Sequence, residues 1–234
     1  MPAPRCARAR AARPAVTDAA NAFLLVYAGL FPIVNPVGSA PIFLSMTRAT
    51  SVAERHVLAL RVAVNGFCLL LGSLFVGSHV LEFFGITLPI VRIGGGLVVT
   101  AFGWKLLQEG DRSEAQAADD AGSRPGTATD AFYPLTMPLT VGPGSISVAI
   151  TLGSQRPTVP RDLAHLALLG GSAVAGLLAI AVTIYVCCRF AESIVAVLGE
   201  RGTTVLVRLS AFILLCIGIQ IVWNGYSSLV AVGH

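Results

Sequence analysis

The sequence predicts an all-α integral membrane protein with six transmembrane helices. Hydrophobic residues make up 55% of the chain and charged residues only 12%, whereas soluble domains carry roughly one-quarter charged residues. Apolar runs of about the 20 residues that a membrane span requires alternate with short charged breaks. The predicted spans lie at 19–46, 57–78, 88–107, 132–152, 163–188 and 203–231.

Two segments lie outside these spans. Residues 1–18 carry four arginines without apolar periodicity, which predicts a disordered basic tail. A cleaved signal is not expected, because the apolar run that follows the tail is too long for one. Residues 108–131 are small, polar and acidic, which predicts a solvated linker. The linker separates a first unit at 19–107 from a second at 132–234.

The first span contains FPIVNPVGSAP at 31–41, in which Pro32, Pro36 and Pro41 fall within one apolar segment. Each proline removes a backbone donor and opposes a continuous helix. Unpaired backbone groups in lipid cost several kcal/mol each, so a broken helix survives only where protein or a wet cavity satisfies them. We therefore expect this break to face the interior of the bundle.

The pattern of prolines occurs a second time. Residues 132–145 read FYPLTMPLTVGPGS, in which an aromatic residue and three prolines recur at the same spacing. This alignment places Pro138 in the position of Pro36. Ordinary kinks and close helix packing would explain one such cluster, but the recurrence favours a functional role.

A second repeat occurs at the far end of each unit. The segment at 88–104 resembles the one at 204–220, and Arg92 matches Arg208. Each unit then holds three spans, and an odd number of spans inverts the second copy in the membrane. The sequence thus predicts two inverted three-helix repeats, with broken helices 1 and 4 meeting near the midplane, as in many secondary transporters.

The two breaks form a candidate binding site for a zwitterion. A half-helix N-terminus suits a carboxylate, and exposed carbonyls at a half-helix C-terminus suit an ammonium group. Asn35 can donate and accept, Gly38 permits close approach, and Ser39 is placed to cap the following half-helix. Ser145 or Thr140 supplies the hydroxyl of the second break. The candidate substrate-binding residues are Asn35, Pro36, Gly38, Ser39, Pro41, Thr140, Gly142, Pro143, Gly144 and Ser145.

Arg92 and Arg208 are charges a few residues inside predicted spans. Intramembrane charge is costly and usually has a partner or a wet cavity, which makes both arginines candidates for a gating or structural role. Snorkelling to the interface and orientation of the chain stay open as alternatives. Arg55 and His56, near the start of the second span, are interpreted as interface markers.

The sequence carries no signature of an enzyme or of a metal site. The sequence contains no HExxH, GxSxG, GxxxxGK[ST] or paired CxxC motif, so we expect no catalytic residue, no cofactor and no metal site. Much of the net charge of +4 comes from the tail, which gives no reason to expect nucleic acid as a partner. Any transport must then use a gradient, with H+ or Na+ as the coupling ion.

Four segments carry a resemblance to a known family. NPVGSAPIFLSMT at 35–47, FGITLPIVRIGGG at 84–96, PLTMPLTVGPGSIS at 134–147 and VRLSAFILLCIGIQIVWNG at 207–225 resemble the MarC family, also classed as six-span neutral amino acid transporters. The resemblance covers nearly the whole chain except the tail and the linker. The matching motif residues are Asn35, Pro36, Gly38 and Pro41, then Pro138, Gly142, Pro143 and Gly144, and the arginines Arg92 and Arg208.

The resemblance implies a multi-pass protein of the bacterial or archaeal inner membrane, distantly related to amino-acid exporters of the lysine-exporter type. It implies a secondary transporter of small neutral amino acids such as glycine and alanine. The alternative is a non-transporting scaffold or lipid-binding protein, whose interfacial arginines hold phosphate head groups. Substrate identity, coupling ion, direction of transport, the side of the termini and homo-oligomer formation stay open.

Overall fold

A computed structural model describes residues 5–109, 131–154 and 163–232, and all regular structure in these ranges is helical. The all-α class is therefore confirmed. One short element, α5, is a π-helix. The elements are α1 (Arg5–Val34), α2 (Pro36–Met46), α3 (Val52–Phe83), α4 (Leu88–Glu109), α5 (Ala131–Thr140), α6 (Pro143–Ser154), α7 (Leu163–Arg189) and α8 (Ala191–Val232).

Five helices in the described ranges are long and apolar enough to cross a membrane, namely α1, α3, α4, α7 and α8. The predicted fourth span differs, because it consists of α5 with 10 residues and α6 with 12 residues. Each is shorter than the roughly 20 residues that a crossing requires. The predicted first span is broken as well, since α1 ends at Val34 and α2 begins at Pro36.

The helix α1 begins at Arg5 and so overlaps the segment 1–18, whose disorder stays a prediction. Alanine and arginine dominate this segment, and both have high helix propensity. The helix therefore extends beyond the apolar span although no apolar periodicity supports it. Most of the predicted linker at 108–131 lies outside the described residues, and its ends belong to α4 and α5.

The helices pack so that the two broken helices meet. The element α1 contacts α6, and α2 contacts α5. The plain helix α3 packs against α5, α6 and α7, while α2 packs against α7 and α8. Fully buried side chains fill the centre of this bundle, among them Leu30, Phe43, Leu70, Leu135, Leu177 and Ile180.

Glycines allow α4 and α8 to approach each other closely. A Cβ atom added at Gly96 would lie 2.8 Å from the carbonyl oxygen of Gly218. One heptad further along α4, a Cβ at Gly103 would lie 2.7 Å from the backbone nitrogen of Leu215. Small residues at such spacing let membrane helices pack backbone against backbone.

Candidate functional site

The first break is a single residue, Asn35, between α1 and α2. Its backbone is left-handed, with φ 46° and ψ 58°, and its side-chain oxygen accepts a hydrogen bond from the Gly38 amide at 3.3 Å. Asparagine tolerates this conformation and is a favoured N-cap, while Pro36 suits the first helical position because its missing donor is not needed there. The cap is therefore Asn35 and not Ser39, whose hydroxyl donates to the Pro36 carbonyl at 3.1 Å.

Asn35→Ala is expected to destabilise the protein more than Asn35→Gly. Alanine loses the cap, about 1 kcal/mol, and adds roughly 1–2 kcal/mol for a left-handed backbone. Glycine adopts that backbone freely and costs only a few tenths of a kcal/mol as a cap. Thermal unfolding of both variants in detergent checks the order, and an equal loss in the two would contradict the role given to this break.

A cleft of about 20 Å³ lies beside the first break, between α2, α4 and α8. Asn35, Gly38 and Ser39 line one wall, and Phe102 and Ser210 lie opposite. This volume corresponds to about one water molecule. Pro36 is buried and Pro41 is half-buried in α2. We call this cavity the first-break cleft, and it is too small for any amino acid.

The second break begins with the π-helix α5. The hydroxyl of Thr140 donates to the Leu135 carbonyl at 2.8 Å, and that of Thr136 to the Ala131 carbonyl at 2.6 Å. Both bonds reach back five residues, which is the register of a π-helix, an element that is frequent at functional sites. Pro134 and Pro138 have no backbone N–H, so α5 cannot form a complete α-helical ladder.

The half-helix α6 begins at Pro143, directly after Gly142. By position in its element, Pro143 thus corresponds to Pro36, and the predicted match of Pro36 with Pro138 is wrong because Pro138 lies inside α5. Gly144 is buried, and a Cβ atom there would overlap Val99 of α4. Pro143 itself is exposed.

The candidate residues of the two breaks do not share one cavity. The first-break cleft is lined by none of the residues from Thr140 to Ser145. Ser145 is buried, and its hydroxyl donates to the Gly142 carbonyl at 2.9 Å. The second break thus packs against α3 and α4, while the first packs against α8 and α7.

A larger groove of about 510 Å³ surrounds Arg92, where α4, α6 and α8 meet. The Nε atom of Arg92 donates to the Thr151 hydroxyl at 3.3 Å, and an Nη1 hydrogen to the Ser228 hydroxyl at 3.2 Å. We call this cavity the Arg92 groove. It is lined by Arg92, Val148, Thr151, Ile221, Asn224, Ser227 and Ser228.

The sequence identified Arg92 but missed the hydroxyl groups that accompany it. Asn224, Ser227 and Ser228 are spaced as i, i+3 and i+4, which puts them on one face of a helix. That signal was present in the sequence, yet only the packing of three helices brings this face to Arg92. Arg208, the predicted counterpart, is exposed on α8 and lines neither cavity.

Charged residues form a second cluster where α2 ends and α3 begins. Arg55 is 8% exposed, pairs with Glu192 of α8, and donates from Nη2 to the Thr47 carbonyl at 3.3 Å. Beside it, Arg189 contacts the His56 ring. The side chain of Arg55 is therefore buried between helices at the end of the bundle. Its interpretation as an interface marker stays a prediction.

This charged cluster and the Arg92 groove lie at opposite ends of the bundle. The helix α3 has 32 residues, a length of about 48 Å. Arg55 lies in its first turn, whereas Arg92 follows shortly after its last turn. One end of the bundle is thus held by an ion pair, and the other end holds a groove.

Comparison with known proteins identifies the family of this chain. The model of the MarC family integral membrane proteins matches residues 20–230. Proteins named UPF0056 inner membrane protein MarC from Salmonella typhimurium and from Escherichia coli O1:K1 are each 31% identical over 211 residues, which cover 88% of this chain and 94% of the relative. No solved structure matches. The names of these relatives and the apolar helices indicate a multi-pass protein of the bacterial inner membrane. The chain therefore belongs to the MarC family of integral membrane proteins.

Proposed function

We propose that this protein is a secondary transporter that uses an ion gradient to move a small neutral amino acid of the size of glycine or alanine. The observation that carries the proposal is an unequal pair of cavities. Each lies between the second half of a broken helix and the pair α4 and α8, yet one holds about 20 Å³ and the other about 510 Å³. A carrier with alternating access requires one side closed while the other is open.

The packing supports two inverted repeats as the moving parts. In the two repeats, α1 to α4 correspond in order to α5 to α8. The helix α2 contacts α7 and α8, and its counterpart α6 contacts α3 and α4, which are the counterparts of α7 and α8. Likewise, α1 contacts α7, and its counterpart α5 contacts α3, the counterpart of α7. We propose that the two halves rock against each other about the crossing of the broken helices, so that each cavity opens in turn.

The chemistry of the breaks favours a small zwitterionic substrate. Gly38, Ser39, Gly144 and Ser145 are buried and leave little side-chain volume. Four of the described carboxylates lie in the first or last turn of a helix, Asp18 lies at the start of the apolar part of α1, and Glu200 follows the non-helical Gly199 of α8. None of them therefore lies deep in an apolar span, where it could bind a proton or Na+. We propose that backbone carbonyls released at the breaks, water or the substrate itself take part in coupling to H+ or Na+. The carboxylates in the described ranges are Asp18, Glu54, Glu82, Glu109, Glu192 and Glu200.

Counterflow of labelled glycine and alanine into proteoliposomes tests the proposal, and Gly38→Val is the informative variant. We expect saturable uptake that responds to a proton or sodium gradient. The added side chain would meet Ser210 and the Asn35 side chain, which fills the first-break cleft, so we expect a loss of about tenfold or more in uptake, as from a lost contact of roughly 1.4 kcal/mol.

Gly72→Val is the matched control, because Gly72 is exposed on α3 and has nothing within 4 Å of an added Cβ atom. Its uptake should equal that of the unmodified protein. Absence of counterflow for every neutral amino acid tested, with either gradient, would reject the transport function. Normal uptake by Gly38→Val would reject this cleft as part of the route.

A further inference from the structure

We propose that the Arg92 groove binds the carboxylate group of a small solute at the open end of the bundle. The identification of this solute as an amino acid rests on the proposed function. The binding chemistry itself rests only on Arg92 and the polar groups around it. This site is separate from both breaks, where the sequence predicted that substrate binds.

The guanidinium of Arg92 has unused donors that point to a ligand. Arginine carries five N–H groups in a planar fork. One from Nε and one from Nη1 are engaged by the hydroxyls of Thr151 and Ser228. No described residue bonds to the remaining three, and a planar fork matches a carboxylate through two parallel hydrogen bonds. Thr151 and Ser228 fix the orientation of the fork from two different helices.

The charge of Arg92 is not neutralised by the protein in the described ranges. Two described carboxylates pair with other residues, Glu192 with Arg55 and Glu82 with His79. A cation within a membrane helix usually faces a partner or a wet cavity, and for Arg92 the structure provides the cavity. A bound anionic ligand would neutralise the charge of Arg92.

The rest of the groove suits the other parts of an amino acid. The Asn224 side-chain oxygen accepts a hydrogen bond from the Gln220 amide at 2.9 Å and has one lone pair left. This lone pair and the Ser227 hydroxyl can accept hydrogen bonds from an ammonium group. Val148 and Ile221 supply apolar walls for a short side chain. The groove volume of about 510 Å³ falls in the range of about 300–1,000 Å³ that is usual for ligand sites.

The groove also lies beside the half-helix that begins at the second break. Thr151 and Gly144 belong to the same half-helix α6 and are seven residues apart, or about 10 Å along its axis. A solute held at Arg92 would therefore be placed one step from the buried start of α6. We assign to the groove the capture of solute before it reaches the breaks.

The phosphate of an anionic lipid offers the same oxyanion chemistry, so the experiment must separate the two sources. Binding is measured by thermal shift and calorimetry on the full chain in a neutral detergent. The probes are glycine, acetate, methylammonium, which lacks the carboxylate, and phosphatidylglycerol. The variants are Arg92→Gln, Arg92→Lys and Thr151→Val, with Arg61→Gln as the control, because it removes an exposed arginine of α3 that lines neither cavity.

We expect glycine and acetate to bind and methylammonium not to bind. Arg92→Gln should raise the dissociation constant for both ligands by about tenfold or more, as expected for loss of a charge-assisted pair. Arg92→Lys should restore part of the affinity, because it keeps the charge but loses the fork. Thr151→Val leaves the charge of Arg92 in place and nearly preserves the side-chain volume at position 151, so it should weaken binding less than Arg92→Gln. Arg61→Gln should leave binding unchanged.

Three results of the binding experiment would overturn the inference. The first is acetate affinity that is equal in Arg92→Gln and the unmodified protein. The second is an Arg92-dependent shift with phosphatidylglycerol alone, which would make the groove a lipid site. The third result applies if Arg92→Gln does not fold: acetate binding that is unchanged in both Thr151→Val and Arg92→Lys. Glycine counterflow that is independent of Arg92 would reject this site and leave the transport function intact. Arg92-dependent acetate binding without any counterflow would support this site and reject the transport function.

Discussion

Gly96→Val is expected to disrupt the packing of α4 against α8 and to lower the free energy of unfolding by more than about 3 kcal/mol, above the usual loss from overpacking. The atoms that the new side chain would meet include the Gly218 carbonyl oxygen and the Val222 amide nitrogen, both at 2.8 Å from an added Cβ. Backbone atoms cannot rotate away as a side chain can, so the two helices must separate. Thermal unfolding in detergent measures the loss.

Gly94→Val is a control from the same run of three glycines. An added Cβ atom at Gly94 has no heavy atom within 4 Å, and the residue is exposed. We expect its melting temperature to stay close to that of the unmodified protein. Equal destabilisation by Gly94→Val and Gly96→Val would mean that helix propensity, and not the contact between α4 and α8, governs this segment.

Glu192→Ala is expected to destabilise the protein more than Arg55→Met. Removing Glu192 leaves the buried guanidinium of Arg55 without its counter-ion, whereas removing Arg55 leaves a carboxylate that is 59% exposed and can be hydrated. Loss of one partner from a buried pair costs about 3–5 kcal/mol, and the exposure of Glu192 reduces this to about 2 kcal/mol. Denaturation of both single variants and the double variant gives the comparison.

The double variant tests the origin of that loss. When Arg55→Met is added to Glu192→Ala, the unpaired charge disappears, so stability should recover toward that of Arg55→Met alone. Additive losses would contradict the role of the pair. The ion pair lies at the end of the bundle opposite the Arg92 groove, and in the proposed transport cycle we expect it to restrain that end. Glu192→Ala should therefore also change the rate of glycine counterflow, while Ser193→Ala, at the next position on α8, should not.

Much of the fold could be predicted because the membrane imposes simple requirements. Apolar runs of sufficient length identified the long helices, and prolines in FPIVNPVGSAP identified the break that the structure has at Asn35. The alignment of Pro36 with Pro138 failed because proline spacing does not reveal which proline opens the half-helix. That position is taken by Pro143, after a π-helical segment that no sequence pattern indicated.

The sequence by itself determined that this chain is an α-helical protein of the inner membrane, a member of the MarC family, and interrupted at two Pro/Gly segments. Hydropathy, missing backbone donors and motif residues are local properties, which is why they can be read along the chain. Only the tertiary structure decided that the first-break cleft is too small for an amino acid, that Arg92 faces hydroxyls from α6 and α8, and that Arg55 is buried beside Glu192. Those facts depend on which helices become neighbours, and the contacts between distant segments that select those neighbours leave no periodic signal in the sequence.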